Sequence, residues 1–114
     1  MKILIFLLLL SSTAPFAVLS KENSQLSSLA KCAAFAYILK LEQDSKMFGD
    51  AYKNLKSIKE YDTEFYHQMT FTEGMVTGWA AAKSIDQLEA SKNFYYVLCK
   101  GDTYSYAQDL AKTH

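Results

Sequence analysis

The chain has 114 residues, half of them hydrophobic, and a formal net charge of zero. This length corresponds to one domain, and the neutral balance argues against a nucleic-acid-binding protein, which would carry a basic face. All twelve basic residues are Lys, so the bidentate contacts that Arg makes with phosphate or carboxylate groups are excluded.

The first twenty residues have the three parts of a secretory signal peptide. Lys2 precedes an unbroken apolar run at residues 3–10, and we predict cleavage between Ser20 and Lys21. The alternative is an uncleaved membrane anchor, but the apolar run is well short of the ~20 residues that span a bilayer. We therefore expect export to a bacterial periplasm or outside the cell, with no stable membrane insertion after cleavage.

Export makes a disulfide between the two cysteines, Cys32 and Cys99, the expected pairing. The alternatives are two free thiols or an intermolecular bridge. The intramolecular bond would close most of the mature chain into one loop, which stabilises the fold by roughly 4 kcal/mol in the chain-entropy model. No C-x-x-C motif is present, so we do not expect a catalytic redox pair.

Apolar residues at intervals of three and four predict helices throughout residues 21–114. The first, over residues 25–43, has a second apolar set that predicts burial on more than one side. A second amphipathic helix follows Asp44 and Ser45, and Asp62 or Thr63 can cap a third.

Ser84 or Asp86 can start a fourth helix, which Gly101 would stop, and Asp102 or Thr103 can cap a short last one. Residues 94–98 have a strand-like composition. We interpret them as the buried half of the fourth helix, because the residues before them keep helical spacing. The predicted fold is an all-α bundle of four to five helices with one disulfide.

Motifs for catalysis are incomplete. The two histidines are His67 and His114, and no nucleophile elbow accompanies either of them. Glu64 and His67 have the spacing of a di-iron ligand pair, but that site needs the pair twice. Haem, P-loop and dinucleotide motifs are not found. We therefore expect no enzymatic activity, cofactor or metal site.

Two glycines four residues apart, Gly74 and Gly78, lie inside the third helix, where each costs about 1 kcal/mol relative to Ala. With Ala81 and Ala82 they form a strip of small residues. The favoured interpretation is close packing against another helix of the bundle. The alternative is a shallow groove, rimmed by Met75 and Trp79, that receives a partner.

Tyrosine occurs eight times, more than a small bundle can bury. Some tyrosines must be core residues, and others lie at an interaction surface or at the edge of the core with hydrated hydroxyls. The candidate partner-binding residues are Glu73, Gly74, Gly78, Trp79, Tyr104 and Tyr106.

Residues 71–78, FTEGMVTG, form an aromatic-x-x-Gly-x-x-x-Gly pattern in the predicted third helix. Residues 99–110 form a Cys-containing turn and a short helix with a Gln, here Gln108. Both segments resemble the corresponding elements of the Rap1a/Tai-type periplasmic immunity proteins. The chain departs from the family's pattern at two points: no Cys lies just before the glycine pair, and no Pro follows Cys99. The resemblance implies an inhibitor-type binding protein and identifies no contact residues.

The resulting hypothesis is an exported helical binding protein, monomeric or weakly dimeric, that occludes a toxin or hydrolase directed at the cell envelope. The alternative is a structural or chaperone-like periplasmic protein without a specific enzyme target. Such a chaperone would need groups that titrate near neutral pH, and only His67 and His114 do so.

Overall fold

A computed structural model describes residues 23–112, which form five helices without any strand. These are α1 (residues 23–38), α2 (Glu42–Lys56), α3 (Thr63–Lys83), α4 (Gln87–Leu98) and α5 (Asp102–Ala111). The predicted all-α bundle is confirmed, and residues 94–98 are helical as predicted. The prediction that they form a buried half of the fourth helix is wrong, because Tyr96, Val97 and Leu98 are exposed. The predicted signal peptide, its cleavage site and His114 lie outside the described residues.

Helix α1 is the central element of the bundle. Residues 32–36 are all buried, and five consecutive buried positions mean that this part of the helix is covered on every side. This confirms the burial predicted from its two apolar sets. Each of the other four helices contacts α1. Ser45 of α2 donates a hydrogen bond to the Ala33 carbonyl at 3.0 Å, and Ser27 of α1 donates one to Gln68 of α3 at 3.3 Å. Phe94 of α4 stacks on Phe35 with ring centroids 5.6 Å apart, and Tyr106 of α5 donates to Gln25 at 3.2 Å.

The outer helices pack in two pairs, α2 with α5 and α3 with α4. A disulfide joins Cys32 of α1 to Cys99 at the end of α4, with Cα atoms 5.7 Å apart, and both residues are buried. The predicted pairing is confirmed. It ties the central helix to the α4–α5 turn.

The first helix ends at residue 38, so its predicted extension to residue 43 is wrong. Lys40 adopts the left-handed conformation with φ 61°. Its N–H donates to the Tyr37 carbonyl, and the N–H of Leu41 donates to the Ala36 carbonyl, which is the Schellman pattern. The apolar spacing in the sequence continues past the end of the helix, because a Schellman ending itself has a hydrophobic residue, here Leu41, directly after the left-handed one.

Helices α2 and α3 end in the same way. Ser57 and Ser84 have φ of 58° and 55°, and the isoleucines that follow them, Ile58 and Ile85, pack against the core. Three helices thus stop at a left-handed residue other than glycine. Ser84 ends α3, so its predicted role as the start of α4 is wrong.

Two N-cap candidates were predicted for α3 and two for α4, and one of each pair is confirmed. Asp62 accepts from the Phe65 N–H at 2.9 Å, and Asp86 accepts from the Glu89 N–H at 2.7 Å. The predicted cap of α5 is wrong, because Gly101 occupies the N-cap and Asp102 is the first helical residue. Gly101 is also not the stop of α4, which ends at Leu98.

Candidate binding surface

The small-residue strip of α3 faces solvent. Gly74, Gly78, Ala81 and Ala82 are all exposed. Apart from its chain neighbours and the adjoining helix backbone, a Cβ atom built on either glycine would meet no atom within 4 Å. The favoured interpretation, close packing inside the bundle, is therefore wrong. The physical reason is that α3 already buries its opposite face, through Phe65, Thr72, Val76 and Ala80.

Beside this strip runs a row of large side chains spaced by four residues. Phe71 is 64% exposed and Trp79 is 45% exposed, and Met75 between them is partly buried. We name Phe71, Met75 and Trp79 the apolar ridge, and Gly74, Gly78 and Ala82 the glycine groove. Rows spaced by four residues are the ridges and grooves through which helices pack, so the outer face of α3 has the form of an unoccupied helix-packing surface.

The apolar surface continues onto α4. The Trp79 ring meets the edge of Phe94 with centroids 5.7 Å apart. Val97 and Leu98 follow Phe94 by three and four residues, which places them on its side of α4, and they are 81% and 50% exposed. An exposed apolar surface that spans two elements is typical of a protein-interaction site.

Charged groups lie at the two ends of this face and have opposite signs. Glu64 is in the first turn of α3 and Lys83 in the last. The Lys83 ammonium lies 4.9 Å from the centroid of the Trp79 ring, so a cation borders the ridge at its C-terminal end. Glu64 accepts a hydrogen bond from Gln68 at 3.3 Å and forms no ion pair within residues 23–112.

The structure separates the predicted site residues into three places. Gly74, Gly78 and Trp79 share the outer side of α3. Glu73 lies on another side of that helix and lines a groove of about 570 Å³ with residues of α1, α2 and α4. Tyr104 and Tyr106 belong to α5, where Tyr104 donates to Asp44 at 3.3 Å and Tyr106 donates to Gln25 at 3.2 Å.

Two tyrosines are fully buried and each donates its hydroxyl to an aspartate. Tyr52 donates to Asp62 at 2.8 Å, and the ammonium of Lys56 donates to the other carboxylate oxygen. Burial, the hydrogen bond to Asp62 and the charge of Asp62 raise the pKa of Tyr52 to about 12. Burial alone would raise the pKa of Asp62, but hydrogen bonds from Lys56, the Phe65 N–H and Tyr52 together hold it below its usual range.

The second cluster has the same composition. Tyr95 donates to Asp44, and burial followed by that hydrogen bond raises the pKa of Tyr95. Lys100 lies 3.7 Å from Asp44 and 4.4 Å from the centroid of the Tyr104 ring. These contacts join α2, α4 and α5, so a large part of the tyrosine content serves the fold.

Exposure is the property that sequence reasoning missed on this surface. The sequence analysis places Phe71 only in the aromatic-x-x-Gly-x-x-x-Gly pattern and Leu98 only in the fourth helix, and it predicts exposure for neither residue. The signal for Phe71 was available, because it precedes Gly74 and Gly78 by three and seven residues and so shares their helix face. No comparable signal exists for Val97, whose exposure depends on how α4 lies against the bundle.

Within the described residues, no group of three or more His, Cys, Asp or Glu side chains could hold a metal ion. None of the helices in residues 23–112 is long and apolar enough to cross a membrane.

Comparison with protein-family models, curated proteins and solved structures finds no match for this chain.

Proposed function

We propose that this protein is an exported binding protein whose outer α3 face, the apolar ridge with the glycine groove, docks a partner protein. The observation that supports the proposal is the exposure of this face. Two glycines inside a helix reduce stability, and neither glycine is compensated by packing within the described residues. A binding role would account for both of them.

The proposed partner is an enzyme or toxin directed at the cell envelope, and the protein acts by occluding it. Three features support this class: the signal peptide predicted at residues 1–20, the disulfide and the resemblance of residues 71–78 to immunity proteins. Large aromatic side chains at the centre of an interface carry much of its binding energy. We therefore assign the anchoring role to Phe71 and Trp79.

Affinity capture from envelope extracts tests the proposal, with the protein carrying its disulfide as bait. Gly78→Leu fills the glycine groove and Trp79→Ala removes an anchor. Ser105→Leu adds the same side chain as Gly78→Leu to an exposed position of α5 and is the matched control. We expect a cell-wall-cleaving enzyme to be captured by wild type and by Ser105→Leu and lost with both α3 variants.

The captured enzyme must also be inhibited by one equivalent of the protein. Capture that is equal for all four proteins would show that the α3 face is not the binding site. Rescue of many unrelated unfolding proteins, without inhibition of one enzyme, would instead support the chaperone-like alternative.

A further inference from the structure

A groove of about 460 Å³ lies where α1, α2 and α3 meet, and we name it the polar groove. Each helix contributes side chains that are three or four residues apart, so each set shares one face of its helix. The lining residues are Asn23, Leu26 and Ser27 of α1, Tyr52 and Lys56 of α2, and Glu64 and Gln68 of α3. Its volume falls in the range of small-molecule sites, ~300–1,000 Å³.

On the α2 side the groove has a cation whose position is fixed. The Lys56 ammonium donates to the carboxylate of Asp62 and, at 3.5 Å, to the Tyr52 hydroxyl. Asp62 also accepts hydrogen bonds from Tyr52 at 2.8 Å and from the Phe65 N–H at 2.9 Å, so three donors already surround this carboxylate. An ammonium has three N–H groups, and these contacts leave one of them for a ligand.

On the α3 side the groove has a carboxylate that is also held in place. Ser27 donates to the side-chain carbonyl of Gln68 at 3.3 Å, and the Gln68 amide donates to Glu64 at 3.3 Å. A carboxylate can accept about four hydrogen bonds, so most of the acceptor capacity of Glu64 remains. Within residues 23–112 no cation pairs with it.

The floor of the groove is apolar, since Leu26 is 9% exposed and Tyr52 is fully buried. A cation and a carboxylate above an apolar floor are complementary to a ligand that carries both charges and an apolar group. A ligand with only one charge would partly desolvate the opposite protein charge without pairing it, which costs binding free energy. Amino acids and short peptides are the common metabolites with this combination of groups.

We propose that the polar groove binds a free amino acid or short peptide as its zwitterion, with the ligand ammonium on Glu64 and the ligand carboxylate on Lys56. This site is separate from the outer α3 face, and the proposal does not depend on the proposed function.

An NMR titration of the ¹⁵N-labelled, disulfide-bonded protein with L-leucine tests the ligand class. We expect the amide signals of Ser27, Lys56 and Gln68 to shift with a dissociation constant on the order of 1 mM, as for a small ligand held by a few contacts. The matched compounds 3-methylbutylamine and 4-methylpentanoate keep the apolar group and one charge each. Both should bind roughly tenfold more weakly or less, because each lacks one charged hydrogen bond.

A charge-removing substitution tests the site. Glu64→Gln loses the carboxylate charge but keeps a carbonyl oxygen for Gln68, and we expect it to weaken leucine binding roughly tenfold. Glu89→Gln is the matched control, because Glu89 is exposed and lies in the first turn of α4. Both variants lose the same kind of interaction with a helix dipole, so their melting temperatures should change equally, and Glu89→Gln should bind leucine as wild type does.

Four results would overturn the proposal. They are the absence of shifts up to about 10 mM leucine, shifts confined to residues outside the polar groove, binding of 3-methylbutylamine or 4-methylpentanoate as tight as that of leucine, and equal leucine binding by Glu64→Gln and wild type.

Discussion

Two glycines inside helices have opposite surroundings, so the same substitution has opposite consequences at each. A Cβ on Gly49 would lie 2.1 Å from the Tyr61 hydroxyl, and the Tyr61 ring stacks on Phe65 with centroids 4.2 Å apart. Gly74 has open space instead. Gly49 is thus the glycine of this chain that close packing requires, whereas the sequence pattern predicts that requirement at Gly74 and Gly78.

We expect Gly49→Ala to lower the free energy of unfolding by about 1–3 kcal/mol, because Tyr61 must leave its place against α2. Gly74→Ala should raise the free energy of unfolding by up to about 1 kcal/mol through helix propensity. Urea unfolding of the two variants measures both changes. A change of the same sign in the two proteins would contradict this account.

The buried hydroxyl of Tyr52 makes stability depend on alkaline pH. Its pKa is raised to about 12 in the folded protein and lies near 10 in the unfolded chain. Below pH 10 both states keep the proton, so the stabilisation is fully present. Between about pH 10 and 12 only the unfolded chain releases the proton, and stability is lost as the pH rises.

Replacing Tyr52 with Phe should therefore make the loss of stability above pH 10 shallower, while lowering the free energy of unfolding at pH 7 by about 1 kcal/mol through the lost hydrogen bond. Denaturant unfolding at steps from pH 7 to pH 12 measures both effects. Tyr66→Phe, at an exposed position, is the control and should keep the alkaline profile of wild type. A Tyr52→Phe profile identical to that of wild type would exclude this role of the hydroxyl.

Three helices, α1, α2 and α3, end with the same left-handed motif. Lys40, Ser57 and Ser84 each take the left-handed conformation, and each is followed by an aliphatic residue. A left-handed residue with a side chain is strained by about 1–2 kcal/mol. Glycine is the usual residue there, and these positions therefore carry strain that glycine would remove.

Ser84→Gly should raise the free energy of unfolding by about 0.5–1 kcal/mol, since the relief of strain exceeds the added entropy of the unfolded chain. Ser105→Gly, inside α5, should lower it by a similar amount. Thermal unfolding of the pair is the measurement. A Ser84→Gly variant as destabilised as the Ser105→Gly control would show that the Schellman ending is not strained.

The disulfide closes a long loop around the core. Cys32 and Cys99 are 67 residues apart and both are buried. The bond connects the central helix to the turn that carries Lys100, whose ammonium contacts Asp44 of α2. Reduction therefore frees the α4–α5 turn from α1.

Reduction should lower the free energy of unfolding by about 4 kcal/mol in the chain-entropy model, a large share for a domain of this size. The denaturation midpoint of the reduced, thiol-blocked protein against the oxidised protein measures it. Mass spectrometry of the oxidised protein should detect no alkylatable thiol. An unchanged midpoint after complete reduction would contradict a stabilising role for the bond.

Apolar spacing was sufficient to predict the helical class and the burial of α1 on more than one side, and the cysteine count together with the expected export was sufficient for the pairing. Apolar spacing is a property of neighbouring residues, and two cysteines allow only one intramolecular pairing. The burial of Tyr52 and Tyr95, and the hydrogen bonds of their hydroxyls to Asp62 and Asp44, could not be predicted. They depend on which helices become neighbours.

The candidate binding surface on α3 was likewise predictable from the sequence only in part. The row of small residues at Gly74, Gly78 and Ala82 and the row of large ones beside it are visible in the sequence, because both rows follow from a spacing of four. That this face points to solvent depends on how α3 lies against the other helices. Small residues permit close packing but do not attract it, so the face that α3 buries was decided by Phe65 and Val76, whose larger apolar side chains gain more from leaving water.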